Sequence, residues 1–167
     1  MSVETIVEAN QFLTFTLGDE GYAIEIGKVR EVLDYTTITN IPRSPEFMRG
    51  VINLRGNVVP VIDLRLNLGM TAIEKSVDTC IVIVEVSLGT DFMHVGMLAD
   101  SVQEVVDIDP SQVEPAPTLG TRLRTDFIRG MGKRDDKFLI ILDIDKVLSR
   151  EELSTIDEKV ASQVEAA

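Results

Sequence analysis

The sequence predicts a mainly β protein built from two related lobes, with a few short helices and one C-terminal helix. Short apolar segments recur at close intervals and are separated by turns rich in glycine and aspartate. Two parts of the chain repeat the same motifs in the same order, which indicates an internal duplication. Long helices do not alternate with the apolar segments, so small barrels or a sandwich are expected rather than a doubly wound parallel sheet.

The first half of the chain contains two predicted hairpins. They cover residues 12–26 and residues 50–64, each with a turn rich in small or polar residues between its strands. In the second hairpin the Gly56-Asn57 pair suits the positive φ of a tight turn. Because Pro60 has no amide hydrogen to donate, its strand is expected at a sheet edge or at a bulge.

Between these hairpins, apolar residues recur at helical spacing. Ile26, Val29, Val32 and Leu33 are separated by the charged residues of the same segment. This spacing predicts a short helix or helical turn over residues 26–33.

The second half predicts two further hairpins and a terminal helix. The hairpins cover residues 79–98 and 127–143, and residues 110–117, with three prolines, are expected to form a surface connection. Ser149 and Glu152 have the spacing of a capping box. An apolar stripe typical of an amphipathic helix follows them: Leu153, Ile156, Val160 and Val164.

The duplication aligns residues 47–64 with residues 127–144 without a gap. Phenylalanine, arginine, glycine and aspartate coincide at positions 47/127, 49/129, 50/130 and 63/143. Residues 29–34 (VREVLD) likewise match residues 102–107 (VQEVVD). A lobe of about five short strands buries little surface alone, so the two lobes are expected to pack together. The cleft between them is then the expected binding site.

Charge excludes some classes of partner. The chain has 28 acidic and 16 basic residues, a net charge of −12, which disfavours binding to nucleic acid and insertion into anionic membranes. Residues 76–121 contain no lysine or arginine, whereas residues 43–65 and 122–137 are predominantly basic. This asymmetry fits either the steering of a charged partner or a solvated acidic face.

Few residues support catalysis. His94 is the only histidine and lies within a predicted strand, so a histidine metal cluster or a nucleophile–histidine array is not expected. Asp63 and Asp143 close equivalent strands, as the carboxylates of a two-lobed acid hydrolase would. The alternative, which we favour, is that each aspartate caps the next turn. The sequence therefore predicts no enzyme, no cofactor and no metal site.

Two motifs carry a family resemblance. Asn53-Leu54-Arg55-Gly56 and the run from Pro60 to Arg65 (PVIDLR), together with FLTFTLGDEGYAI from residue 12, are similar to the bacterial chemotaxis coupling proteins of the CheW family. The resemblance extends over nearly the whole chain. It implies two interlocked, five-stranded, SH3-like β-barrel subdomains within residues 9–149, followed by an acidic amphipathic helix over residues 150–167.

The resemblance also implies a function and partners. Members of this family are non-enzymatic adaptors that join the cytoplasmic tip of methyl-accepting chemoreceptors to the regulatory domain of the histidine kinase CheA. The expected location is cytoplasmic, with recruitment to membrane receptor arrays and no direct membrane insertion. A related receptor–kinase pathway that controls surface motility or biofilm formation is the alternative output.

The same resemblance assigns receptor contact to Ile26, Val29, Glu31 and Arg55, in a groove between the lobes. From the residues alone, Ile26 and Val29 could equally be core residues, and Arg55 could be an ordinary exposed turn residue. An ion pair between Arg55 and Glu31 would fix the groove wall. Gly50 and Gly56 are expected to serve backbone geometry. The second lobe is expected to contact the kinase through apolar surface, without assigned residues.

Overall fold

A computed structural model gives the architecture of residues 11–18, 20–68, 70–71, 74–88, 90–115, 127–134 and 137–166. Eleven strands form two sheets in this part of the chain. In order they are β1 (Gln11–Leu17), β2 (Glu20–Glu25), β3 (Val29–Asp34), β4 (Met48–Leu54), β5 (Asn57–Asp63), β6 (Cys80–Leu88), β7 (Asp91–Ala99), β8 (Ser101–Asp107), β9 (Val113–Glu114), β10 (Ile128–Arg134) and β11 (Lys137–Leu142).

Helices are short until the end of the chain. Two 3₁₀ turns lie at Ile26–Lys28 and Pro110–Gln112, and two four-residue helices follow β5 and β11, α1 (Leu64–Asn67) and α2 (Ile144–Val147). The terminal helix α3 covers Arg150–Ala166. The predicted class, a mainly β protein of two lobes with a C-terminal helix, is confirmed.

The two lobes are interlocked through the N-terminal hairpin. Lobe 1 has the strand order β3-β6-β7-β5-β4 and is continuous in sequence. Lobe 2 has the order β8-β1-β2-β11-β10-β9, so it takes its central hairpin from the start of the chain. Each lobe contains one parallel strand pair, β5 with β7 in lobe 1 and β2 with β11 in lobe 2. The hydrogen-bonded ladders of the described strands stay open, and lobe 2 has a sixth, two-residue strand.

The structure confirms the duplication in detail. Both copies have a register shift at the start of the repeat, between Met48 and Gly50 in lobe 1 and between Ile128 and Gly130 in lobe 2. In each copy the amide of the aspartate that ends the repeat donates to the carbonyl of its first phenylalanine at 2.7 Å. The two halves therefore share backbone geometry as well as sequence.

All four predicted hairpins are present, but the helix predicted over residues 26–33 is wrong. Only the 3₁₀ turn Ile26–Lys28 is helical, and Val29–Asp34 is the strand β3. Its residues alternate between half-buried and exposed, and it pairs with β6. Over so short a segment, apolar residues at 29, 32 and 33 fit the period of a helix as well as that of a strand. The pairing with β6 then decides that the segment is a strand.

The second hairpin differs locally from its prediction. Its two-residue turn is Arg55-Gly56, with φ of 52° and 87°, so the tight turn lies one residue earlier than the Gly56-Asn57 pair. The amide of Gly56 donates to Asn53 Oδ1 at 2.8 Å. The strand that contains Pro60 is internal rather than at an edge, and the bulge lies on β4. Pro60 is tolerated because the β5–β7 ladder begins only at Val61.

The largest apolar cluster, here called the seam core, lies between the lobes. It contains 22 of the described buried residues, drawn from β1 and β2 of lobe 2, from β6 and β7 of lobe 1, and from the helices. The clusters private to lobe 1 and lobe 2 contain six and five buried residues. The lobes therefore share more core than either keeps for itself, as their small size requires.

The terminal helix is fixed to this seam core. The predicted capping box is present, because the Glu152 amide donates to Ser149 Oγ at 3.1 Å and the Ser149 amide donates to Glu152 Oε1 at 2.8 Å. Leu153 and Ile156 are buried in the seam core, and Val160 packs against it. The predicted connection over residues 110–117 contains a 3₁₀ turn and β9, and its last two residues lie outside the described part.

Two carboxylates join the lobes at polar ends of the seam. Asp100 accepts hydrogen bonds from the Gly18 amide at 2.5 Å and from Arg65 at 3.1 Å. Asp145 accepts from Lys28 at 2.8 Å and from the Ser87 amide at 2.9 Å. Burial alone would raise the pKa of Asp145, but its hydrogen bonds and the Lys28 charge lower it below the ordinary aspartate value.

Replacing Gly50 by alanine will destabilise the protein by about 3 kcal/mol. Gly50 has a φ of 144°, and a Cβ built on it would lie 2.1 Å from the Thr39 carbonyl oxygen, within the bridge that Thr39 forms with Val51. Urea denaturation measures the change. Gly27→Ala is the matched control, because a Cβ at Gly27 meets nothing within 4 Å. Equal stability of the two variants would contradict this account.

Replacing Asp145 by asparagine will lower the free energy of unfolding by about 1 kcal/mol at neutral pH. Since the pKa of Asp145 is lowered in the folded state, its stabilisation is present above the ordinary aspartate pKa and is lost as pH falls through the folded value. The gap between variant and wild type should close in acid. Asp107→Asn, at an exposed carboxylate on β8, is the control and should leave the free energy of unfolding at neutral pH within about 0.5 kcal/mol of the wild-type value.

Candidate functional site

The largest groove near the predicted site residues lies between the sheet of lobe 1 and the terminal helix. Its volume is about 720 Å³. The side chains of Leu54, Val58 and Met93 give it apolar walls, and Asp157 and Val160 of α3 close one side. A surface of this shape, apolar within and charged at the rim, suits an amphipathic segment of a partner protein.

Glu31 and Arg55 meet at the rim of this groove. The two guanidinium nitrogens of Arg55 donate to the two carboxylate oxygens of Glu31 at 2.5 and 3.3 Å, a bidentate pair. Arg55 remains 72% exposed, whereas Glu31 is 27% exposed. The hydrogen bond from Arg55 lowers the pKa of Glu31 below its ordinary value, and the same bond raises the pKa of Arg55.

The local backbone positions this pair. Glu31 lies on the edge strand β3, and Arg55 is the first residue of the two-residue turn between β4 and β5. Arg55 adopts a left-handed φ of 52°, which is uncommon for a residue with a side chain. The following Gly56, with φ of 87°, completes the turn without steric cost.

A second charged cluster lies beside the same groove and was missed by the sequence analysis; its members Arg30 and His94 line the groove. Arg30 donates to Glu85 Oε2 at 2.6 Å, and His94 Nε2 lies 3.7 Å from Glu85 Oε1. Glu85 and His94 are cross-strand partners on β6 and β7. Glu85 and His94 face each other across the predicted hairpin of residues 79–98, but the position of Arg30 gave no sequence signal, because the pairing of β3 with β6 is not local. His94 is partly exposed, as predicted for a structural histidine.

Ile26 and Val29 are not among the residues that line the groove. Both are half-buried and pack against the seam core at the junction between β2 and β3. The nearby junction cavity, of about 190 Å³, is lined by charged residues that include Glu25, Lys28 and Arg129. The structure thus brings Glu31 and Arg55 together and packs Ile26 and Val29 against the seam core, with Val29 on the same strand as Glu31 and two residues before it.

Asp63 and Asp143 do not form a catalytic pair. The side chain of Asp63 accepts from the Arg65 amide at 3.0 Å, and that of Asp143 accepts from the Asp145 amide at 3.1 Å. Each aspartate is therefore the N-cap of its own short helix, in its own copy of the repeat. The capping interpretation explains both carboxylates and leaves the acid-hydrolase alternative without support.

Comparison with known proteins gives a consistent result. A sequence profile described as the CheW-like domain matches residues 11–152. The chain is 37% identical to "Chemotaxis protein CheW" of Klebsiella aerogenes, over 91% of this chain and 89% of that protein. It is 33% identical to "Chemotaxis protein CheW" of Helicobacter pylori, over 86% and 84%.

A solved structure is similar as well. The crystal structure of the scaffolding protein TtCheW from Thermoanaerobacter tengcongensis matches with a TM-score of 0.76 and 39% identity, and the match covers 86% of this chain and 97% of that one. Within the part of the chain described here, no helix has the length and apolar character needed to span a membrane.

Removing the guanidinium of Arg55 will raise the pKa of Glu31. In Arg55→Gln the carboxylate loses its bidentate donor, so its pKa should move up toward the ordinary glutamate value. A pH titration of the Glu31 side-chain carboxyl by carbon-13 NMR measures the shift. Lys75→Gln, an exposed cation of the same lobe, should leave the Glu31 titration unchanged. An unchanged titration in Arg55→Gln would mean that the pair is not formed in solution.

Proposed function

The chain belongs to the CheW-like domain family, and we propose that it is a non-enzymatic chemotaxis adaptor that couples chemoreceptors to the histidine kinase CheA. The observation that carries this proposal is the family match over residues 11–152, supported by a solved scaffolding protein of the same fold. The two aspartates that suggested hydrolysis are occupied as helix N-caps. The adaptor would act in the cytoplasm and be recruited to membrane receptor arrays.

The receptor surface in this proposal is the groove beside Glu31 and Arg55. Its apolar walls would take the apolar face of a helix from the cytoplasmic tip of the receptor. The Glu31–Arg55 pair keeps the rim of the groove in one geometry, although an exposed pair contributes little to stability by itself. Ile26 and Val29 would add contact through the part of their surface that stays accessible at the lobe junction.

In the same proposal, lobe 2 carries the surface that binds the regulatory domain of CheA. Phe138 on β11 is 44% exposed and Val105 on β8 is 48% exposed, although both are large apolar residues. Exposed apolar side chains of this size are typical of a protein interface. Lobe 1 has them as well, with Phe92 64% exposed, so the choice of lobe 2 for the kinase follows the family expectation. A receptor groove on lobe 1 and a kinase surface on lobe 2 would allow both partners to bind at once.

Simultaneous binding tests this scheme. A receptor-tip fragment and the kinase regulatory domain, each titrated by calorimetry, should bind with affinities that the other partner does not reduce. Phe138→Ser should weaken only kinase binding. Mutual exclusion of the two partners would refute the assignment of two separate surfaces.

Reversing the charge of Arg55 will weaken receptor binding by about tenfold. Arg55→Glu places two carboxylates together at the groove rim, and their repulsion should separate β3 side chains from the β4–β5 turn and so widen the groove. The double variant Glu31→Arg/Arg55→Glu restores an ion pair of opposite order and should recover most of the affinity. Lys75→Glu carries the same charge change outside the groove and should bind like wild type. Undiminished binding by Arg55→Glu would remove Arg55 from the receptor site.

A further inference from the structure

A second pocket, of about 480 Å³, lies in lobe 1 on the segment that joins β3 to β4. Arg43 and Arg49 line it, together with Asn40 and Ser44. Glu46 is the only carboxylate among its lining residues. The pocket is separate in its lining from the groove that holds Glu31 and Arg55. In a chain with a net charge of −12, a pocket with an excess of arginine is unusual.

Among the residues that the structure describes, neither of these two arginines has an ionic partner. Of the arginines whose side chains the structure describes, four pair with a carboxylate, namely Arg30, Arg55, Arg65 and Arg129. Arg43 and Arg49, both exposed, form no ion pair within the described residues, not even with Glu46. An arginine has five donors in a planar fork and cannot lose its charge, so both guanidinium groups remain available to an anion.

The duplicated copy explains why Arg49 is unpaired. Arg129, its equivalent 80 residues later, forms an ion pair with Glu25 on β2. The parallel pairing of β11 with β2 extends to Ile141 beside Ala23, and continuing it by two residues brings Asp143 level with Glu25. In lobe 1 the pairing of β5 with β7 puts Asp63 beside Leu98. Leu98, buried at 1% exposure, therefore occupies the place of the partner carboxylate in lobe 1. The equivalent arginine is thus neutralised in lobe 2, where Arg129 pairs with Glu25, and left without a carboxylate partner among the described residues of lobe 1.

Arg43 is held in a costly backbone conformation. Its φ is 62°, and the hydroxyl of the following Ser44 donates to the Ile41 carbonyl at 2.7 Å. With Pro42 before it, Arg43 stands where a type II turn favours glycine or asparagine, and a larger residue costs about 1 kcal/mol. A strained position that carries a charged side chain into a pocket indicates a role beyond the turn itself.

We propose that this pocket is a docking site for an acidic peptide segment of a partner protein. The two unpaired guanidinium groups would bind carboxylates in bidentate fashion, and Asn40 and Ser44 would add polar contacts. Since Arg43 and Arg49 come from a turn and from the β4 bulge, their spacing is set by rigid backbone rather than by the side chains alone. This site lies outside the groove of the proposed function and does not depend on it.

The test is an NMR titration of the full chain with a hexaglutamate peptide. Binding should shift the side-chain Nε–Hε signals of Arg43 and Arg49 and the backbone amides of residues 40–49. Arg43→Gln/Arg49→Gln should weaken binding by about tenfold or more. The matched control Lys133→Gln/Lys137→Gln removes two exposed positive charges from lobe 2 and should bind like wild type. Equal loss in both double variants would overturn the proposal, since attraction would then follow net charge alone.

Two further arms make the result specific. Inorganic phosphate at matched ionic strength should cause smaller shifts than hexaglutamate, and equal or tighter phosphate binding would overturn the proposal in favour of a small-anion site. Arg43→Gly should keep or raise the melting temperature, because glycine relieves the strained turn, while it weakens peptide binding. If Arg43→Gly melts lower and binds the peptide undiminished, Arg43 is structural and the proposal fails.

Discussion

The seam core between the lobes is the interaction on which the rest of this structure depends. Each lobe has a thin private core, and the largest cluster of buried residues belongs to both lobes together. This arrangement requires strands that are apolar on both faces. On β6, Ile81 and Ile83 face the private core of lobe 1, whereas Val82 and Val84 face the seam. Neither small lobe would retain much stability alone.

The two copies of the repeat share backbone geometry but differ in the charged side chains that they carry. Arg65 and Asp145 occupy equivalent positions after the capping aspartates, and each forms a charged contact with the junction that follows the paired strand, to Asp100 and to Lys28. In lobe 1 the repeat supplies the cation of the ion pair, and in lobe 2 it supplies the carboxylate. An ion pair is therefore kept at both positions, but which partner carries the positive charge differs. Functional sites are then free to differ. At the position of Arg55 the second copy has Asp135, so the groove pair has no counterpart there.

Local sequence signals predicted what local interactions determine. The four hairpins and the capping box at Ser149 and Glu152 were predictable because turn residues and short-range spacing dictate them. Strand β3 was not, since its six residues fit two periodicities and its pairing with β6 decides between them. The pairing of β2 with β11 is also non-local, so the sequence indicated two lobes without indicating that the first hairpin belongs to the second one.

The candidate site also combines features that the sequence predicts with features that depend on non-local packing. The Glu31–Arg55 pair was predictable from the family motif, whereas the helical side of the groove was not, because the apolar stripe of α3 predicts packing without identifying its partner. Asp157 and Val160 reach the groove because Leu153 and Ile156, in the first half of the helix, are fixed in the seam core. The shape of the groove is therefore coupled to the packing of the lobes. A partner seated there would contact lobe 1 and a helix anchored in the seam, so its binding reinforces the relative position of the lobes. In the proposed function, a groove anchored in this way would hold its partner at a fixed position relative to lobe 2, where the second partner is proposed to bind.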